Sequence, residues 1–119
     1  MHLIDKEIFF ADSRVMSYMK NIENKIFEFV VSHAFYEKGN EIVKINNVKT
    51  IISGWSEFKN DIYNSDSKTW SLIDDSFVDF VLEFSNIKNN IQINGFSDKY
   101  SFWSEIKINN INSIKFYEI

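Results

Sequence analysis

Lys25-Ile26-Phe27-Glu28-Phe29-Val30-Val31-Ser32-His33-Ala34-Phe35-Tyr36-Glu37 is the stretch from which the fold is read. Phe27, Phe29, Val31, His33 and Phe35 fall on one face of an extended chain, and Ile26, Glu28, Val30, Ser32, Ala34 and Tyr36 on the other, which is the two-residue period of β-structure. Because the second face is also partly apolar, the stretch reads as a central strand covered on both sides. Glu37-Lys38-Gly39-Asn40 then supplies a turn. Glu41 to Trp55 reads as a return strand or strand pair, with Ile42, Val43 and Ile45 before a break at Asn46-Asn47, alternating Val48, Thr50 and Ile52 after it, and Gly54 ending it.

Working outward, Ile8-Phe9-Phe10 predicts a short strand, and Arg14 to Lys20 a second, although Ser13 to Met19 also fits a short helix. Phe58 and Ile62, four apart, predict one or two helical turns over Ser56 to Asn64, followed by a polar loop at Asn64-Ser65-Asp66-Ser67-Lys68. Trp70 to Ile87 fits either a helix capped at Asp74 or Asp75 or a strand alternating through Val78, Phe80, Leu82 and Phe84; a strand after a short helical turn is favoured. Near the C-terminus Ile91 and Ile93 face in while Asn90, Gln92 and Asn94 face out. A turn at Gly95 to Lys99 follows, then Phe102, Ser104, Ile106 and Ile108 share a face. Asn109-Asn110 is a two-residue hairpin connection into Ile111 to Ile119, since Asn tolerates positive φ. The expected fold is α+β or mainly β. A single domain over residues 1–119 is built on a twisted antiparallel sheet, a meander or half-barrel, with one or two short helices.

Composition narrows the function. At 119 residues there is room for one domain, and 45% hydrophobic with 17% aromatic residues supplies a substantial core without disulfide or metal. The absence of Cys removes thiol nucleophiles, Cys-based zinc sites, iron–sulfur clusters and disulfide scaffolds, and fits a reducing compartment. The first residues lack a signal-peptide pattern, and no apolar run approaches the roughly 18 residues of a membrane-spanning helix. These features predict a cytoplasmic chain without a membrane partner. Net charge is −4 and Arg14 is the only arginine, which disfavours direct nucleic-acid binding. Three scattered glycines do not make a phosphate loop.

Candidate chemistry is sparse. His2 sits at the chain start, and His33 has no second His or Cys to complete a metal site or nucleophile pair. It reads as a histidine hydrogen-bonded to a neighbour. Asp74, Asp75, Asp79 and Glu83 offer carboxylates without the spacing of a calcium loop, so they read as a solvated acidic face. Neither a catalytic residue nor a metal or other cofactor is predicted. Trp55, Trp70 and Trp103 read as core or rim packing, with an exposed Trp able to anchor an interface.

Charge placement is more informative. Between Glu57 and Glu83 seven acidic residues stand against two lysines, a local balance of −5, which leaves ten acidic and eleven basic residues elsewhere. Negative charge interleaved with Phe58, Tyr63, Trp70 and Phe77 suits a binder of a basic protein: charge steers and aromatics anchor. An ordinary solvated loop region fits the same residues.

Three segments carry a resemblance: Ile51-Ile52-Ser53-Gly54-Trp55, Ile91-Gln92-Ile93-Asn94-Gly95-Phe96-Ser97 and Phe102-Trp103-Ser104-Glu105. With the Cys-free, Pro-free, Ile/Asn/Lys/Phe-rich composition, the chain resembles the immunity proteins of bacterial polymorphic toxin systems, including contact-dependent growth inhibition. The resemblance covers Lys25 to Trp55 and Asn89 to Ile119. It implies a stoichiometric inhibitor of a cognate toxin domain, the C-terminal part of a large secreted protein and often a nuclease, whose phosphate-holding cleft is basic. On that reading Asp66, Asp74, Asp75 and Asp79 pair with toxin cations, and Tyr63 and Trp70 supply buried contact. The alternative expectation is a small β-barrel-like carrier of an apolar ligand, from the Phe-lined faces around His33.

Overall fold

A computed structural model describes all 119 residues and contains twelve β-strands and no helix. In chain order they are β1 (His2–Ile4), β2 (Ile8–Phe9), β3 (Ser13–Asn21), β4 (Ile26–Lys38), β5 (Glu41–Ser53), β6 (Glu57–Asn64), β7 (Thr69–Leu72), β8 (Phe80–Val81), β9 (Glu83–Ile87), β10 (Asn90–Phe96), β11 (Trp103–Asn109) and β12 (Ser113–Glu118). They form two antiparallel sheets. Sheet 1 runs β1-β12-β5-β4-β3-β8, with β2 paired to the far end of β4, and sheet 2 runs β7-β6-β11-β10-β9. No barrel closes. The fold is mainly β, as expected, without the predicted helices.

Strands β4 and β5 form the spine, a hairpin of two 13-residue strands closed by the Gly39-Asn40 turn, with Gly39 at φ +63°. Phe27, Phe29 and Val31 are buried on the inner face as the alternation predicts, opposite Ile52, Thr50 and Val48. The alternation then slips by one. Ala34 and Ile45 are the next buried pair, although the pairing of the two strands keeps its register across the slip. Asn47 adopts φ +56° there, and a left-handed residue swings the following side chain to the opposite face. Hence His33 and Phe35 do not continue the inner face of Phe27–Val31, and β5 is one strand, not two. Nor is β4 covered on both sides: Ile26, Glu28, Val30 and Ser32 line a half-exposed outer face.

The inner faces of the two sheets meet in one core. Phe27, Phe29, Val48 and Ile52 from sheet 1 pack with Ile91, Ile93, Ile106 and Ile108 from sheet 2. Ser56 to Asn64 is strand rather than helix, because Phe58, Asn60 and Ile62 point inward at two-residue spacing, with Asn60 receiving the Ser104 hydroxyl proton and donating to the Ser76 carbonyl. Asn109-Asn110 does not close a hairpin. Strand β11 pairs with β6 and β10, whereas β12 pairs with β5 and β1, so this connection hands the chain from sheet 2 to sheet 1. Buried Ile111 plugs the crossing, and Asn112 N–H donates to the Ser53 and Gly54 carbonyls.

The segment 73–79 makes the opposite passage. It has no helical turn. Ile73 N–H still bonds the Asn60 carbonyl, after which Ser76, Phe77 and Val78 run between the sheets. Phe77 packs on Phe27, Phe29 and Tyr18, ring centroids 5.0, 5.3 and 5.4 Å away. Val78 then bridges Ser97, Asp79 N–H bonds the Phe96 carbonyl, and the Asp79 carbonyl accepts from Val15 N–H, so this one segment joins sheet 2 to the edge of sheet 1. Gly95 makes the space: a Cβ there would overlap the Phe80 carbonyl and press on Val78. Gly95→Ala is therefore expected to lower stability by about 2–3 kcal/mol, because backbone cannot yield as a side-chain tip does. Gly39→Ala, with open space around it, costs only the left-handed strain of about 1 kcal/mol. Urea unfolding of the two variants side by side checks the order.

Candidate protein-binding face

The outward side chains of sheet 2 are set by register. Phe96 of β10 is opposite Trp103 of β11, Trp103 opposite Tyr63 of β6, and Tyr63 opposite Trp70 of β7. Four aromatic rings thus form one row across four strands. Phe96 and Trp103 meet at 5.5 Å with an interplanar angle of 78°, and Tyr63 and Trp70 at 5.2 Å and 53°. Trp70 is 52% exposed and Phe96 46%, with Trp103 and Tyr63 half-buried between them.

The next row of the same face reads Glu83, Asn94, Glu105, Asp61, Leu72 from β9 to β7. It places three carboxylates beside the aromatic row. Glu105 accepts from the Trp103 indole N–H at 3.1 Å and Glu83 from the Asn94 amide at 3.1 Å. None of the three has a cation within ion-pair distance, since the chain's two ion pairs are Lys49–Glu28 and Lys99–Asp75. Beyond them a third row carries Gln92, Lys107 and Lys59.

Of the residues singled out from sequence, Tyr63 and Trp70 do come together on this face. Asp66 sits at the tip of the β6–β7 loop, held by Asn64, whose side-chain oxygen accepts the Asp66 and Ser67 N–H groups. Asp74, Asp75 and Asp79 do not join that face, because they ride on the crossing segment. The Asp75 carboxylate is taken by the Lys99 ammonium and the Tyr100 hydroxyl, and Asp79 accepts its own neighbour's Phe80 N–H. Asp61 and Glu83 belong to the acidic stretch between Glu57 and Glu83 read from the sequence, whereas Phe96, Trp103 and Glu105 of the same face lie outside it. The alternation of β10 and β11 was legible; the alignment of these strands with β6 and β7 was not, because it depends on pairing.

His33 Nε2–H donates to the Ala11 carbonyl at 3.0 Å, and Nδ1 lies 2.9 Å from the Ser32 hydroxyl, which pins the β2–β3 connection to β4. No group of three or more His, Asp and Glu is placed to hold a metal ion. A cleft of about 400 Å³, whose lining mixes Phe10, Phe84 and Phe116 with Glu7, Ser85 and Asn86, opens where β2, β9 and β12 approach. No helix is long and apolar enough to cross a membrane. No family model, curated protein or solved structure matches the chain.

Two charges are tuned by their surroundings. The Lys99 hydrogen bond holds Asp75 below its ordinary value of 3.8, outweighing the opposing desolvation, and the Tyr100 hydroxyl adds to the lowering. Burial lowers Lys20, whose ammonium sits 3.8 Å over the Phe58 ring, with Asp74 pulling the other way. A carboxylate depressed by folding stabilises above its unfolded value and loses that contribution as pH falls through the folded one. In Lys99→Ala the Asp75 midpoint is expected to rise toward 3.8, and the acid limb of the stability curve to lose its Asp75 component. Carboxyl-carbon NMR titration of both proteins measures it.

Proposed function

We propose that this protein is a toxin-neutralising immunity protein: it binds a cognate toxin domain stoichiometrically through the outer face of sheet 2 and performs no catalysis. The observation that carries the reading is the Phe96–Trp103–Tyr63–Trp70 row beside three carboxylates without cationic partners. Exposed Trp and Tyr are among the side chains that dominate interface energies, and carboxylates without an ion-pair partner, three against the two lysines of the next row, favour a basic partner over an acidic one. The rings tilt against each other by 53° and 78°, so they offer a ridged surface for side chains rather than a flat platform for sugar rings.

A nuclease is the toxin class that suits this chemistry best, because its cleft must be basic to hold phosphate. Carboxylates on a protein surface then occupy the positions that phosphates would take. The reading places the protein in the cytoplasm of the producing cell, where such an inhibitor must act.

A second reading, carriage of a small apolar ligand, has the Phe10–Phe84–Phe116 cleft in its favour. The core beneath that cleft is filled, with Phe10 packed against Phe29, Phe84 and Phe116 at 6.1, 5.0 and 6.2 Å. Native mass spectrometry separates the two readings.

The deciding experiment uses tagged protein as bait in the source cell. Recovery of a basic C-terminal fragment of a large secreted protein at 1:1 ratio supports inhibition. Bait carrying a small-molecule mass and no protein replaces it with the carrier. With the toxin fragment in hand, Trp70→Ala is expected to weaken binding by about 30-fold, the effect of losing roughly 2 kcal/mol at an interface anchor. Asp61→Lys with Glu105→Lys should slow association and flatten its salt dependence. Trp70→Ala should unfold within about 0.5 kcal/mol of the parent, and the double lysine variant about 1 kcal/mol below it, because it removes the acceptor of the Trp103 indole and sets two lysines opposite each other beside Lys59 and Lys107.

A further inference from the structure

Strand β7 is an uncovered sheet edge, and its backbone phase can be read. Asp61↔Leu72 through Asn64↔Thr69 and the Ile73 N–H to Asn60 carbonyl bond share one register. In an antiparallel pair, residues alternate between bonding the neighbour and turning away from it. Ile73 bonds β6, so Ser71 and Thr69 do too, and the N–H and C=O groups of Trp70 and Leu72 point to the free edge. The same two residues send their side chains to the outer face, where Leu72 is 66% exposed. The strand carries no charge, and the chain has no proline to block pairing there.

Protected edges elsewhere sharpen the contrast. The β3 edge is bent by a bulge between Val15 and Ser17 and carries Lys20, β9 at the other edge of sheet 2 carries Glu83, and β1 is only three residues long. Natural sheets usually blunt an open edge with charge, proline or a bulge, and β7 has none of these.

We infer that the partner adds a strand to β7, pairing an extended segment with Trp70 and Leu72 and lengthening both rows of the outer face by one position. This deepens the toxin-binding reading and rests on it. Because Trp70 and Leu72 turn to the free edge, the residues opposite them are hydrogen-bonded pairs. Their side chains continue the aromatic and carboxylate rows. The segment therefore presents two apolar side chains at i and i+2, flanked by Lys or Arg, since Asp61, Asp66 and Asp74 around this edge outnumber Lys59 and Lys68. A second copy of this chain is the poorer occupant. Two four-residue edges bury far less than the roughly 1,200 Å² of a stable interface, and each copy carries −4.

The test uses a capped hexapeptide, Lys-Val-Thr-Val-Thr-Lys, titrated into the ¹⁵N-labelled full chain. Saturable shifts centred on the Trp70 and Leu72 amides are expected, with a dissociation constant of about 1 mM, the weak end of measurable association. N-methylation of both valines should abolish them, and N-methylation of both threonines should not. The inference is overturned by no saturable shift up to about 5 mM, by shifts centred on β1, β3 or the opposite edge strand β9, or by a sedimenting dimer whose Trp70 and Leu72 amides are protected without peptide. Phe96→Ala separates this from the functional reading, because it lies on the aromatic row and away from the edge. Toxin binding weakened by Phe96→Ala with no peptide response removes strand addition alone. A peptide response with no toxin recovered removes the inhibitor reading alone.

Discussion

Phe77 enters the space between the sheets on a segment that has left β6 behind and has not yet reached β10 or β3. Its ring touches Phe27 and Phe29 of the long hairpin and Tyr18 of β3. The residues on either side reach sheet 2 through the Ser76 carbonyl on Asn60 and the Val78 bridge to Ser97. Burying a phenylalanine there gains more than an ordinary core position, because the same contact fixes the separation of the sheets and the path of the chain. Gly95, without a side chain, leaves room for Val78 and the Phe80 carbonyl that follow Phe77. The segment also carries its own anchor: Asp98 accepts the Phe77 N–H, and Asp98 N–H bonds the Phe77 carbonyl.

That internal passage has an outward consequence. A connection from β7 to the far side of sheet 2 that ran over the outside would cover its outer face; running inside, it leaves that face bare. The rows of Phe96–Trp103–Tyr63–Trp70 and Glu83–Glu105–Asp61 are exposed because the crossing is buried. The same geometry leaves β7 at the edge with nothing beyond it. Face and edge are therefore two aspects of one topological choice, and a partner that uses both gains area that neither supplies alone.

Where alternation was clean, the sequence was a reliable guide. Ile91 and Ile93 are buried and Gln92 and Asn94 are outward, as read, and Ser104, Ile106 and Ile108 share the inner face. Where a polar residue sat at an inward position, the period was misread. Asn60, satisfied by Ser76 and Ser104, separates Phe58 from Ile62 and makes a strand resemble a helical i, i+4 pair. The stretch after Trp70 was ambiguous because only the end of β7, the two-residue β8 and β9 are regular there; the rest is a passage whose buried residues obey the core and no period. Among the candidate contact residues, Tyr63 and Trp70 were legible as aromatics in an acidic stretch. Asp74, Asp75 and Asp79 were not, since neighbours in sequence leave on a segment that turns away.

The sequence by itself determined a mainly β chain, the long hairpin from Ile26 to Ser53 with its Gly39-Asn40 turn, and most of the inward residues. These follow from side-chain period and turn chemistry, which act over a few residues. Only the tertiary structure decided that β11 and β12 belong to different sheets, that Phe77 lies between them, and that four aromatic residues spread from 63 to 103 stand in one row. The physical reason is that strand pairing is a contact between segments far apart in the chain. It is chosen by which buried faces fit together, and local alternation records which way a side chain points but not what stands beside it.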